Sequence, residues 1–156
     1  TSFTYAVGKL VLWSSDASKV TDGEALLKSG SFNKCAVANP KLAPYGLAAY
    51  ESLKAMGLFE KVQPKFVEGD NIGKTFNFVK TGNADIGFVA LSQVSKNGKF
   101  TSGSGWMVPE KYYNPIRQDA VLLKNGKNAE AARAFLEFLK GPEAAAVKKA
   151  YGYGAG

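Results

Sequence analysis

Histidine is absent from the 156 residues, and cysteine occurs once, as Cys35. Without histidine, zinc centres built from His and Cys cannot form, nor can Ser-His-Asp or Cys-His catalytic arrangements. A single cysteine also excludes an intrachain disulfide. Within the apolar run "KCAVA" it reads as a small buried hydrophobe. No stretch reaches the roughly 20 apolar residues that a membrane-spanning helix requires. Acidic residues are in the minority: 13 Asp and Glu against 20 Lys and Arg leave a net charge of +7. Such an excess can attract anions, nucleic acid or an acidic membrane surface. The lysines are scattered singly, however, with no dense run, which reads as a solvated basic surface.

What is present is an alternation of strand-like and helix-like segments. Phe3 to Trp13, "FTYAVGKLVLW", is rich in aromatic and β-branched residues and reads as one strand, with Gly8 marking a bend. "DGEALLKSG" reads as a short helix with Asp22 as cap and Gly30 as stop. Lys34–Ala38 is a short apolar strand. "PYGLAAYESLKAMG" is a helix with Leu47, Tyr50, Leu53 or Lys54, and Met56 at helical spacing, ending at Gly57. "KFVEGDN" runs from strand into loop. "NIGKTFNFVKTG" places Ile72, Phe76 and Val79 on one helical face and stops at Gly82. "DIGFVAL", 85 to 91, is a strand, and "KNGKFTSGSG" a loop. "WMVPEKYYNPIRQDAVLL" reads as two strands about a proline-marked connection. Two helices close the chain, one capped by Asn128 and stopped by Gly141, the next starting at Pro142.

This order predicts an α/β fold, a mixed, largely parallel sheet flanked by helices. The two final helices follow one another with no strand between them and are expected to stand apart from the first core. The chain opens abruptly inside a strand and shows no signal peptide, so a fragment of a longer protein is expected.

Two strand-to-helix junctions invite a ligand, "AVANPKLAPYG" and "FVEGDNIGKTF". In open α/β sheets ligands sit beyond the carboxyl ends of strands. A helix start carries N–H groups without intrahelical partners and a partial positive charge. Two converging starts would hold an anion with no charged side chain. Pro40 and Pro44 stiffen the first loop, Gly46 permits close approach, and Asp70 or Asn71 caps the second helix. Asp85 opens a strand without a partner carboxylate in pattern, so a catalytic role is not expected of it. Trp13 and Trp106 read as structural. Three functional readings follow: an oxyanion-binding lobe, a basic nucleic-acid-binding domain, or a small α/β enzyme acting on a phosphorylated substrate.

The segments "ANPKLAPYG", "EGDNIGKTFNFVKTGNADIGFVALSQV", "YNPIRQDAVLL" and "AYGYG" together resemble the periplasmic molybdate-binding proteins of ABC transporters. "YAVGKLVLWS" is similar to that family's strand crossing between lobes. The resemblance covers Phe3 to Tyr153. It implies a periplasmic-binding-protein fold of type II, with two lobes and a cleft that takes molybdate or tungstate for a membrane permease. It implies that residues 6–117 form the complete second lobe. Residues 1–5 and 118–156 would then be a remnant of the first lobe, whose N-terminal portion, with two Ser- or Thr-bearing loops, is absent. Tyr45 is implied as a ligand residue through its hydroxyl, its amide or both, Ile72 through its backbone N–H, and Asn71 as a third ligand-binding position, ranked after these two, that shapes the loop. The family is not enzymatic, has no cofactor, and reaches its metal only as the oxyanion. The implied partners are the permease and either the missing N-terminal segment or a second copy of the chain, with no nucleic acid. The implied location is the periplasm. With part of the donor set missing, the chain alone is expected to bind weakly.

Overall fold

The computed structural model describes the backbone of residues 2–121 and 129–155. The segment read as one strand divides at Lys9. Strand β1 (Ser2–Gly8) and strand β2 (Leu10–Ser14) enter different sheets. Helix α1 (Gly23–Ser29) follows, with the Asp22 carboxylate accepting from the Ala25 N–H at 3.1 Å. It ends at Gly30, whose φ of 70° is left-handed backbone that glycine adopts without steric cost. Next come β3 (Cys35–Ala38), α2 (Pro44–Ala55), α3 (Phe59–Val62), β4 (Phe66–Gly69) and α4 (Ile72–Lys80).

Strand β5 (Ile86–Ala90) passes directly into a four-residue helix, α5 (Leu91–Val94), where the sequence suggested that strand continued through Leu91. The Gly- and Ser-rich stretch expected as a loop contains a small hairpin, β6 (Ser95–Lys96) and β7 (Lys99–Phe100). Its tail already belongs to β8 (Ser104–Met107). Strand β9 (Ile116–Val121) follows a 3₁₀ turn. The last elements are α6 (Ala129–Lys140), α7 (Pro142–Ala150) and a two-residue strand, β10 (Gly154–Ala155). Asn128, the expected cap of α6, lies outside the described residues. Gly141 has a φ of −83° and is the N-cap of α7.

The main sheet has the order β4-β3-β5-β2-β8. Strands β4, β3 and β5 pair in parallel, whereas β2 is antiparallel to both β5 and β8. Four strands therefore point one way and β2 alone runs back, the mixed and largely parallel sheet expected. Alternating side chains feed two cores, as the two-residue strand period requires. Leu10, Leu12, Val37 and Phe88 pack with Leu27, Ala48, Ala49, Leu53 and Val62 of α1, α2 and α3. Val11, Trp13, Ala36 and Val89 pack with Val79 of α4, and Phe76 lies 5.4 Å from Trp13 between ring centres. The second sheet, β10-β1-β9, is antiparallel.

Helix α2 departs from its expected face. Leu47 is 51% exposed, while Gly46, Ala48, Ala49 and Ser52 are buried. Small residues let this helix approach the sheet closely. A Cβ on Gly46 would overlap the Ala38 carbonyl oxygen and lie 2.6 Å from its carbon. Periodicity of large side chains alone misses such a face. Trp13 and Trp106 are structural as read: Trp13 is buried with its indole N–H donating to the Ser102 carbonyl at 3.0 Å, and the Trp106 ring packs against Gly23.

Candidate functional site

Strands β3 and β4 end in register, Ala38 opposite Gly69. The Asn39 N–H donates to the Gly69 carbonyl at 2.8 Å, so the pairing persists one residue past β3. The two connecting loops therefore leave the sheet side by side at its carboxyl edge. In the first, the Asn39 carbonyl accepts from the N–H groups of Leu42 (3.1 Å) and Ala43 (2.9 Å), and its side-chain oxygen accepts from the Lys41 N–H at 2.9 Å. Helix α2 then starts with Pro44 in its first position, behind an Ala43 that offers no side-chain cap. Proline suits that position because it lacks an N–H and its φ is already helical.

Tyr45 is 8% exposed, and its phenol lies across the α2-side core toward Gly8, at the end of β1. In the second loop, Asn71 is the cap of α4. Its side-chain oxygen accepts from the Lys74 N–H at 2.9 Å, and its carbonyl accepts from the Thr75 hydroxyl at 2.9 Å. Asp70 instead pairs with the Lys74 ammonium at 2.9 Å on the exposed side. Ile72 is the first residue of α4.

Helices α2 and α4 cover opposite faces of the sheet. Ile72 nevertheless packs at the margin of the cluster that contains Tyr45, because the first turn of α4 sits past the sheet's edge. Tyr45, Asn71 and Ile72 thus occupy one end of the sheet.

Gln93 was not singled out in the sequence. Its side-chain oxygen accepts from the Ala90 N–H at 3.0 Å, and its amide nitrogen donates to the Ile72 carbonyl at 3.2 Å. The available signal was its position three residues beyond the end of an apolar strand, the capping-box spacing. Asp85 has a structural task. Its carboxylate accepts from the N–H groups of Asn33 (2.8 Å) and Lys34 (3.2 Å), closing the entry to β3. Burial, helped by the negative Asp85, pushes the Cys35 thiol well above its usual range, so it is an inert core side chain. Among the described residues no group of three or more Cys, Asp or Glu could hold a metal ion. The first N–H groups of a helix have no intrahelical acceptor, and a helix start is a setting that suits an anion.

An α/β lobe with two helix starts at one sheet edge, joined through a crossing strand to a second sheet and a helical pair, is the architecture of a periplasmic binding protein lobe. The chain belongs to the bacterial extracellular solute-binding protein family, whose model matches residues 1–154. It is 57% identical over 152 residues to the molybdate-binding protein ModA of Azotobacter vinelandii, covering 97% of this chain and 60% of that protein. It is 53% identical to the ModA of Rhodobacter capsulatus, covering 97% and 58%. Among solved structures, a periplasmic molybdate-binding protein of Azotobacter vinelandii superposes with a TM-score of 0.94 at 39% identity, covering 100% of this chain and 68% of that one. The phospholactate-bound PEB3 structure, at 12% identity and a TM-score of 0.79, shares the fold. The chain spans about 60% of the length of the curated relatives it matches.

Proposed function

We propose that this chain carries one side of an oxyanion site for molybdate or tungstate, within a periplasmic solute-binding protein that serves an ABC-transporter permease. The observation that carries the reading is the pair of helix starts that follow the paired ends of β3 and β4, with Tyr45 in the α2-side core and Ile72 packed against that core. The names of the ModA relatives supply the anion. The main sheet and its flanking helices, within the expected 6–117, act as the binding lobe, and the β10-β1-β9 sheet, which takes in residues 6–8 and 116–117, belongs with the other lobe. Donors from outside these 156 residues, in a further N-terminal segment or in a second copy, complete the shell.

The chemistry follows from the anion. Molybdate is a tetrahedral dianion with four acceptor oxygens and no proton near neutral pH, so it needs donors alone. Hydrogen bonds to a charged partner contribute about 1.5–3 kcal/mol each. Donors at helix starts are already oriented, which lowers the ordering cost of binding. The Ile72 N–H is one donor, the Tyr45 hydroxyl or amide another, and Asn71 holds the loop between β4 and α4. Sulfate offers the same four oxygens, so cavity size discriminates against it. Phosphate retains a proton near neutral pH and finds no acceptor in a site of donors. Binding from both lobes closes the cleft as a hinge, and the permease reads the closed form. Binding and release involve no bond-making in the solute, and the protein acts as a receptor rather than an enzyme.

Titration of the ¹⁵N-labelled chain with sodium molybdate tests this. The amides of Ile72 and Tyr45 are expected to shift together with one dissociation constant, and equal phosphate is expected to leave them in place. Molybdate shifts confined to other regions would refute the reading.

A further inference from the structure

Gln93 of α5 reaches across to the start of α4, and its two amide atoms serve two different elements. Its oxygen is held by the N–H of Ala90, the last residue of β5, and its nitrogen donates to the carbonyl of Ile72, the first residue of α4. Only this orientation of the amide satisfies both, since an N–H must meet a carbonyl.

Helix α5 is itself anchored on other sides. The Leu91 N–H donates to the Lys9 carbonyl at 2.9 Å, at the break between β1 and β2. The Tyr153 hydroxyl donates to the Ser92 hydroxyl oxygen at 2.9 Å. Leu91 packs so tightly on Gly152 that a Cβ there would lie 2.8 Å from its Cγ. One short turn thus ties the crossing segment and the C-terminal tail to the first turn of α4.

We infer that Gln93 is a positioning residue for the anion site, holding the first turn of α4 so that the Ile72 N–H points at the anion. The inference rests on reading that N–H as a ligand donor. The first turn of a helix lacks the intrahelical bonds that restrain later turns. Here the peptide that carries the Ile72 N–H is held at its Asn71 carbonyl by Thr75, and Gln93 holds the following peptide through the Ile72 carbonyl, so the two together fix the orientation of the first turn. Hydrogen bonds weaken steeply with misalignment, so a tilt of the first turn, once the peptide after Ile72 is released, removes affinity without removing the donor.

The test is Gln93→Met, which keeps length and neutrality and removes both bonds, read by the same ¹⁵N titration with sodium molybdate. Loss of roughly one hydrogen bond's worth of alignment weakens binding about fivefold to tenfold. At saturation the Ile72 shift is expected to fall by at least half, while the Tyr45 shift is kept. A merely structural residue would lower the saturating shifts of both amides together or of neither, and either result overturns the proposal. Gln93→Leu carries the same outcomes if the Met variant does not fold. A parent chain whose Ile72 amide ignores molybdate would instead sink the site reading, and the positioning role with it.

Discussion

The Tyr45 phenol occupies the space that a side chain on Gly8 would need. An ideal Cβ on Gly8 would overlap the Tyr45 hydroxyl and lie 2.9 Å from Cζ. Gly8 ends β1, so the glycine expected as a bend also makes room, at the crossing between sheets, for a residue of the candidate site.

Gly8→Ala should therefore destabilise the fold by about 1–3 kcal/mol, the range for overpacking a core, and displace the phenol. In a Tyr45→Phe background the hydroxyl clash is gone, and the same substitution should cost about 1 kcal/mol less. A double-mutant cycle by urea unfolding checks this. Additive costs would show that the two residues are not in contact.

Gly46→Ala should be the more damaging change. The atom in the way is backbone, the Ala38 carbonyl, which cannot rotate aside as a side chain can. A loss of about 3 kcal/mol, the upper part of the overpacking range, is expected as a lowered urea midpoint with an unchanged slope.

Asn71→Asp separates capping from anion binding. Aspartate caps as well as asparagine, and its charge complements the helix dipole, so stability should change by less than about 0.5 kcal/mol. The new carboxylate stands beside Ile72 and should repel a dianion, lowering molybdate affinity at least tenfold, or about 1.4 kcal/mol. Asn71→Ala should do the reverse, costing about 1 kcal/mol of stability with a smaller loss of affinity. Thermal unfolding and the molybdate titration read the two effects separately.

Stability should decline at alkaline pH through Cys35. Its thiol is raised in the folded state by burial first and by Asp85 second, from an ordinary value of 9.0. The folded chain therefore holds this proton more tightly than the unfolded chain. The contribution is complete below pH 9.0 and is lost progressively as pH rises above it. Cys35→Ala should flatten the decline above pH 9.0 while lowering stability near neutrality by about 1 kcal/mol. Denaturant midpoints from pH 7 to pH 11 measure both.

Calorimetry of these 156 residues with molybdate should give heats too small to fit, because part of the proposed shell lies in another segment and the weak binding that remains is in the range that amide shifts still report. Addition of that segment from a ModA relative should restore tight binding. Tight binding by the chain alone would contradict the shared-shell account.

The features legible in the residues are the local ones. Asp22 and Gly30 bound α1, Pro44 starts α2 and Asn71 starts α4 through contacts a few residues long, and short-range chemistry is written in adjacent letters. The strand-helix alternation likewise announced the layered fold, since each period reflects one backbone geometry. Pairing partners were not legible. That β2 runs against its neighbours, that Lys9 divides one apolar run between two sheets, and that the final Gly154–Ala155 pairs with β1 depend on residues far apart in the chain. The buried face of α2 was decided by how closely a helix of small residues could approach Ala38, which pushed Leu47 outward. Gln93 meets Ile72 across 21 residues only because α5 and the start of α4 share one end of the sheet. The sequence by itself determined where elements begin and end, because caps and turns are satisfied by near neighbours. Tertiary structure alone decided which of them touch, because close packing selects among distant partners by shape.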